Sequence, residues 1–139
     1  MTKQAIDVQW DSGMTFTTEI SGHTMVLDAH PSAGGSDKGP PPKPLMLVAL
    51  AGCTGMDVIS ILKKMRVDVE RFSVKVEAEM TDEHPKVYST MHVIYEFGGK
   101  DLPKEKLQKA VDLSEERYCG VSAVYRNAVK MSSEIRIID

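Results

Sequence analysis

The feature that most limits the fold is an apolar segment over residues 45–62, which holds a single charged residue, Asp57. A segment of about 18 residues is at the lower limit for a helix that crosses a bilayer. Asp57 lies in its middle, Gly52 and Gly55 interrupt it, and the chain has no second apolar span or aromatic belt. These features favour a buried core helix over a membrane span.

The predicted helix extends over residues 45–66. Pro44 suits its first turn, where backbone N–H groups lack partners, and Lys63, Lys64 and Arg66 suit the negative end of its dipole. A helix that is apolar on all sides must be covered on all sides, and one small sheet covers only one of them. We therefore expect a second helix or a partner subunit to cover the rest.

Alternating apolar positions in the first third of the chain predict three short strands. Turn-forming residues at 11–13 and 21–22 separate them, so an antiparallel meander is the simplest arrangement. The alternating residues are Ile6, Val8 and Trp10, then Met14, Phe16, Thr18 and Ile20, then Met25 and Leu27. Residues 29–44 are rich in proline and glycine and predict a loop, either the wall of a site or a plain surface connection.

The second half of the chain predicts another hairpin and two more helices. Alternation over residues 73–80 and 91–97 indicates two strands, and a helix follows from Pro103 to Cys119 and Gly120. A short helix over residues 121–130 and a strand over residues 131–137 complete the chain. The order β-β-β-α-β-β-α-α-β is an α/β arrangement in the broad sense, of the α+β type, in one domain over residues 1–139. We expect its long buried helix to pack on antiparallel sheets.

Charge and motifs exclude several classes of function. The net charge is -3 and the basic residues are scattered, so nothing indicates a nucleic-acid partner. The glycine-rich nucleotide-binding sequences are absent, and the first ten residues do not form a signal peptide. The four histidines lack metal-ligand spacing. We expect a cytoplasmic protein with no metal, no cofactor and no membrane partner.

The two cysteines, Cys53 and Cys119, lie 66 positions apart, which excludes a CxxC pair. In a reducing cytosol both are expected to be free thiols. Taken alone, Cys53 is readily explained as a small buried apolar residue, and Cys119 as the residue that ends a helix. Beside Cys119, a nearby Glu116 would raise a thiol pKa and Arg117 would lower it.

Two motifs together resemble one family. PLMLVALAGCTGMDV (residues 44–58) is similar to the first cysteine motif of the OsmC and organic hydroperoxide resistance family, and ERYCGVS (residues 116–122) is similar to the second. The predicted order of strands and helices also resembles that family over essentially the whole chain. The resemblance implies an intertwined homodimer in which two long central helices pack together, with each site built from both subunits.

The resemblance also implies an activity. Family peroxidases reduce organic hydroperoxides, so Cys53 would attack the peroxide and become sulfenic acid, and Cys119 would resolve it as a disulfide. An external dithiol would then reduce that disulfide. The apolar part of the substrate needs a pocket, for which the candidate walls are Leu45, Met46, Leu50 and Met56, although core packing also explains these residues.

The chain departs from the family pattern where the peroxidases hold their thiolate. No arginine precedes Arg66, and Lys43 lies near the position of the family's glutamate. Lys43 or Arg117 could lower the thiol pKa instead, whereas Asp57, one helical turn after Cys53, would disfavour the thiolate. Three functions therefore remain open: a peroxidase, a non-catalytic protein that binds apolar small molecules, and a redox switch.

Overall fold

The computed structural model describes residues 1–138, which divide into a first unit, Met1–Met46, and a second unit that begins at Leu47. The predicted single domain over residues 1–139 stays a prediction, and its last residue lies outside the described part of the chain.

The first unit contains the predicted antiparallel meander. Its strands are β1 (Val8–Ser12), β2 (Thr15–Ile20) and β3 (His23–Leu27), with β2 in the centre. Gly13 and Gly22 occupy the two turns with φ of 54° and 82°, a conformation that glycine adopts without steric cost. Ile6 precedes the first strand, so the alternation in sequence begins earlier than the hydrogen-bonded ladder.

A buried carboxylate organises the loop after β3. Asp28 accepts hydrogen bonds from the backbone N–H groups of Ala29, Ser36 and Lys38 and from the Thr15 hydroxyl. Burial alone would raise the pKa of Asp28, but these hydrogen bonds together hold it below its usual value. The predicted loop is therefore an ordered segment, which contains one 3-10 turn, Pro31–Ala33.

The long helix α1 (Leu45–Lys64) ends two residues before its predicted end, because Arg66 adopts a positive φ of 59°. Its buried residues recur every fourth position: Leu50, Thr54, Val58 and Leu62. The opposite side is open in the single chain, where Met56 is 77% exposed. Within residues 1–138, α1 is the one helix long and apolar enough to cross a membrane by length and composition, a test that soluble core helices also pass.

The second unit carries a three-stranded sheet in the order β4 (Arg71–Met80), β5 (Tyr88–Gly98), β6 (Lys130–Ile138). The predicted hairpin pairs β4 with β5 antiparallel. The final strand pairs with β5 in parallel, so the expectation of antiparallel sheets is wrong for this edge. A parallel partner needs a long crossover connection, and the helical segment between β5 and β6 provides it.

Two helices and a wider turn form that crossover. α2 (Lys104–Leu113) continues as a π-helical turn, Ser114–Tyr118, and α3 (Gly120–Tyr125) follows. The sequence predicts one regular helix to Cys119 and a second one to residue 130, so both α-helices end earlier than predicted. The core of the second unit joins α1, β5 and α2 through Leu50, Val58, Leu62, Met91, Val93, Tyr95, Phe97, Leu107, Ala110 and Val111.

Candidate functional site

The fold brings the two distant cysteines together. Cys53 lies on α1, and Cys119 lies between the π-helical turn and α3. Both are free thiols. Their sulfur atoms and one carboxylate oxygen of Asp57 all lie within 4.8 Å of one another. The second unit therefore contains a compact site of two thiols and one carboxylate.

Backbone geometry fixes the position of Cys119. Its N–H donates to the Ser114 carbonyl at 2.8 Å, which closes the π-helical turn, and its own backbone is extended. Its Sγ accepts the Ser122 N–H at 3.3 Å, so the cysteine caps α3. Only 2% of Cys119 is exposed. The wider turn therefore places a buried sulfur atom where a regular helix would have continued.

The surroundings of Cys53 disfavour its charged form. Burial raises the pKa of the Cys53 thiol above its usual value, and the hydrogen bond with Cys119 and the negative charge of Asp57 act in the same direction. A hydrogen bond from the Val121 N–H opposes these effects without cancelling them. Cys53 is therefore mainly a protonated thiol near neutral pH.

Hydroxyl groups connect Asp57 to the interior of the second unit. The Ser114 hydroxyl donates to Asp57 Oδ2 at 3.0 Å and lies 2.7 Å from Thr54 Oγ1, which lies 2.9 Å from the Tyr95 hydroxyl. Tyr95 donates to Glu115 Oε2 at 2.8 Å. This chain of contacts from Asp57 to Glu115, here called the hydroxyl chain, fixes the carboxylate beside the two sulfurs.

Tyr95 takes part in this chain as a neutral phenol. Burial raises its pKa well above the usual value, and the charge of Glu115 and their hydrogen bond add to the shift, although the hydrogen bond with Thr54 opposes it. The phenol therefore keeps its proton over the physiological range. The phenol donates a hydrogen bond to Glu115 Oε2. The other carboxylate oxygen of Glu115 accepts a hydrogen bond from the Ser133 hydroxyl at 3.1 Å.

The remaining predicted site residues have varied positions. Leu50 is fully buried in the core, whereas Met56 is exposed. Glu116 and Arg117 are exposed on the π-helical turn, where the Arg117 guanidinium lies 5.9 Å from the ring centre of Tyr118. The thiolate-tuning role of Lys43 and the pocket roles of Leu45 and Met46 stay predictions, because these residues belong to the first unit.

An apolar groove runs between α1 and β4. Its floor includes Gly52 and Gly55, and its volume is about 790 Å³. A Cβ on Gly55 would lie 3.3 Å from Val74 Cγ2, so this glycine allows helix and strand to approach closely. Gly52 instead faces open space, and α1 continues through both glycines as one helix. The large apolar side chains that line the groove are Val48, Met56, Ile59 and Phe72.

Sequence patterns do not identify Thr54 or Tyr95 as members of the site, and they place Ser114 only on one face of a predicted helix. Thr54 could have been found from the sequence as a hydroxyl residue on the buried face of an apolar helix, because a buried polar side chain needs a hydrogen-bond partner. His92 is half-buried and contacts Ser132 and Glu134 on the sheet.

Comparisons with known proteins agree with this fold. Residues 35–134 match the family model for OsmC-like protein. Protein YhfA of Escherichia coli is 35% identical over 132 residues, covering 94% of this chain and 96% of the relative.

Solved structures give the same result. The crystal structure of a hypothetical protein from Aquifex aeolicus is similar with a TM-score of 0.83 and 30% identity over 100% of both chains. The organic hydroperoxide resistance protein OhrB of Bacillus subtilis matches with a TM-score of 0.67 and 18% identity, over 96% of this chain and 98% of that one. At this identity the match shows a shared fold. The protein is therefore a member of the OsmC-like family.

Proposed function

We propose that the protein is a cytoplasmic, thiol-dependent peroxidase that reduces organic hydroperoxides as part of an oxidative stress response. The observation that carries this proposal is the contact between the Cys53 and Cys119 thiols in an OsmC-like chain. The fold that it shares with an organic hydroperoxide resistance protein supports the substrate class.

The reaction needs two thiols and an external reductant. The Cys53 thiolate attacks the outer oxygen of the hydroperoxide, the O–O bond breaks, and the alkoxide takes a proton to leave as an alcohol. Cys119 then attacks the sulfur of the Cys53 sulfenic acid, which releases water and forms a disulfide. A dithiol reduces this disulfide by exchange and becomes oxidised itself, which restores both cysteines.

The raised pKa of Cys53 sets the pH dependence of the first step. The thiolate is the nucleophile, and its fraction grows as the pH approaches the thiol pKa from below. The rate of peroxide consumption should therefore increase from neutral to alkaline pH. It should level off only above the usual range for a free thiol, about 8.5.

We also propose that the protein is a homodimer. The exposed apolar side of α1 supports this, because Val48 is 64% and Met56 is 77% exposed in the single chain. A second copy that packs on this groove would remove these side chains from water, which is a large favourable term in association. Where the second copy leaves part of the groove open, the alkyl part of the hydroperoxide would bind against the same apolar side chains.

Serine substitutions of the cysteines test the peroxidase. With cumene hydroperoxide and excess dithiol, Cys53→Ser should abolish peroxide consumption. Cys119→Ser should complete the first oxidation and leave a sulfenic acid that a dimedone reagent traps. Asp112→Asn, a change of an exposed carboxylate on α2, is the matched control and should keep the parent rate. Parent-like consumption by Cys53→Ser would refute the mechanism.

A redox switch or a non-catalytic binding protein is the second candidate. The raised pKa of Cys53 favours it, because an unactivated thiol reacts slowly with peroxide. Peroxide consumption with excess dithiol separates the candidates. A peroxidase consumes many equivalents per chain at a sustained rate, whereas a switch shows little sustained consumption and a binding protein consumes none.

A further inference from the structure

Cys53, Asp57 and Cys119 offer three metal-binding atoms to one point in space. Cys53 and Asp57 lie one turn apart on α1, and Cys119 reaches the same point from the start of α3. Their two sulfurs and one oxygen lie within 4.8 Å of one another. The edges of a tetrahedral zinc site with these ligands measure about 3.5 to 3.8 Å, so small side-chain movements bring all three atoms onto one ion.

The groups around these atoms suit a metal site. The Ser122 N–H donates to Cys119 Sγ at 3.3 Å, and the Val121 N–H donates to Cys53. The Ser114 hydroxyl donates to Asp57 Oδ2 at 3.0 Å, which orients the carboxylate beside the two sulfurs. Metal ligands in proteins are oriented by such hydrogen bonds, which also stabilise their negative charge.

The charge of the site favours a cation. Two thiolates and a carboxylate this close together in a partly buried site repel one another. A dication removes the repulsion, since metal binding releases the thiol protons and keeps the thiolates. Thiolate ligands select Zn²⁺ over Mg²⁺ and Ca²⁺, which prefer oxygen ligands.

We propose that the reduced protein binds one Zn²⁺ ion per chain through the sulfurs of Cys53 and Cys119 and a carboxylate oxygen of Asp57. Three protein ligands leave a fourth position for water or an exogenous ligand, as in zinc sites that are not purely structural. Zinc binding and peroxide reduction use the same thiols, and neither proposal requires the other to be correct. Zn²⁺ should therefore inhibit any reaction of the thiols with peroxide.

Titration of the reduced, metal-free full chain with Zn²⁺ against a chromophoric chelator tests the proposal. We expect one ion per chain and no displacement of Zn²⁺ by excess Mg²⁺. Cys53→Ser and Cys119→Ser should each weaken binding by about 100-fold or more. Asp112→Asn should bind like the parent, and protein oxidised to the disulfide should not bind. Co²⁺ in place of Zn²⁺ should give the thiolate charge-transfer absorption of a tetrahedral site.

Asp57→Asn separates ligation from a simple effect on the thiols. Removing the carboxylate makes Cys53 more acidic, which alone would strengthen metal binding. A lost ligand should instead weaken Zn²⁺ binding by about 10- to 100-fold and change the Co²⁺ spectrum. Thermal melting by circular dichroism checks that each variant is folded. The oxidised parent needs no substitution and tests whether the two thiols are ligands.

Some results would overturn the proposal. These are Zn²⁺ binding that persists in both cysteine variants or in the disulfide form, parent-like affinity and spectrum in Asp57→Asn, or no binding by the reduced parent. Peroxide consumption is measured separately on the metal-free protein. Loss of zinc binding therefore does not imply loss of peroxidase activity, and loss of peroxidase activity does not imply loss of zinc binding.

Discussion

The Cys53 thiol lies in a site where burial and a neighbouring carboxylate shift its pKa in the same direction. Family peroxidases are expected to hold a thiolate with an arginine, and this chain has none before Arg66. The carboxylate of Asp57 has the opposite electrostatic effect on the thiol. Residue 57 therefore contributes to the reactivity of the site, although burial has the largest effect on the thiol.

Asp57→Asn should lower the pKa of Cys53, because it removes one of the negative charges that destabilise the thiolate. The shift should be downward but partial, since burial of the thiol is the largest effect and remains in the variant. Ultraviolet absorbance of the thiolate during a pH titration of the Cys119→Ser background measures it. Asp112→Asn in the same background is the control. An unchanged or higher Cys53 pKa would show that Asp57 has no such effect.

Thr54 lies at the centre of the hydroxyl chain and is completely buried. Thr54→Val keeps the shape of the side chain but leaves the hydroxyls of Ser114 and Tyr95 without this partner. We expect the free energy of unfolding to fall by about 1–3 kcal/mol. Urea denaturation measures the loss, with the exposed Thr24→Val as the control. Equal stability of the two variants would show that Thr54 is not an essential partner.

Among the elements, the strands of the meander and of the β4–β5 hairpin were predictable because apolar residues alternate along them, although β1 is exposed over its whole length in the single chain. Alternation says nothing about the neighbour of a strand. The sequence therefore predicts β6 but not its parallel pairing with β5. The parallel pairing depends on the helical crossover between β5 and β6, which the pattern within a strand does not reveal.

The π-helical turn Ser114–Tyr118 was not predictable from periodicity. Its residues are ordinary helix residues, and the wider turn is visible only in the hydrogen bond from the Cys119 N–H to the Ser114 carbonyl. Such turns often occur at functional sites. Here the turn carries the second cysteine, so the site depends on an irregularity that helix propensity does not encode.

The two cysteines are identified as a pair through their resemblance to family motifs, because two thiols 66 positions apart carry no mark of contact. Asp57 is recognised from its spacing of one helical turn. The hydrogen-bond partner of Asp57 is not predictable in this way, since Ser114 lies on the π-helical turn and only the folded second unit brings it to α1. Local patterns predict elements better than they predict contacts between them.

At the scale of the whole molecule, the exposed side of α1 is an apolar surface that lacks a partner in the single chain. Met56→Glu places a charge in the groove between α1 and β4. We expect the dimer to weaken by about 100-fold or more, because burial of an unpaired charge costs several kcal/mol. Sedimentation velocity over a concentration series measures the shift toward monomer.

Val87→Glu is the control for this prediction, since Val87 is an exposed apolar residue outside the groove. It should sediment like the parent. If Met56→Glu also sediments like the parent, α1 does not use this face for assembly. Circular dichroism of both variants checks that each chain is folded.

The hydroxyl chain also limits where hydrogen atoms can be. Four oxygen-to-oxygen contacts join Asp57, Ser114, Thr54, Tyr95 and Glu115, but the three hydroxyl groups supply only three hydrogens. With both carboxylates ionised, one contact must always lack its hydrogen, and the position of that contact can change as hydroxyls rotate. A proton on either carboxylate would supply the fourth hydrogen. The hydroxyl chain can therefore take up one more proton beside the two sulfur atoms.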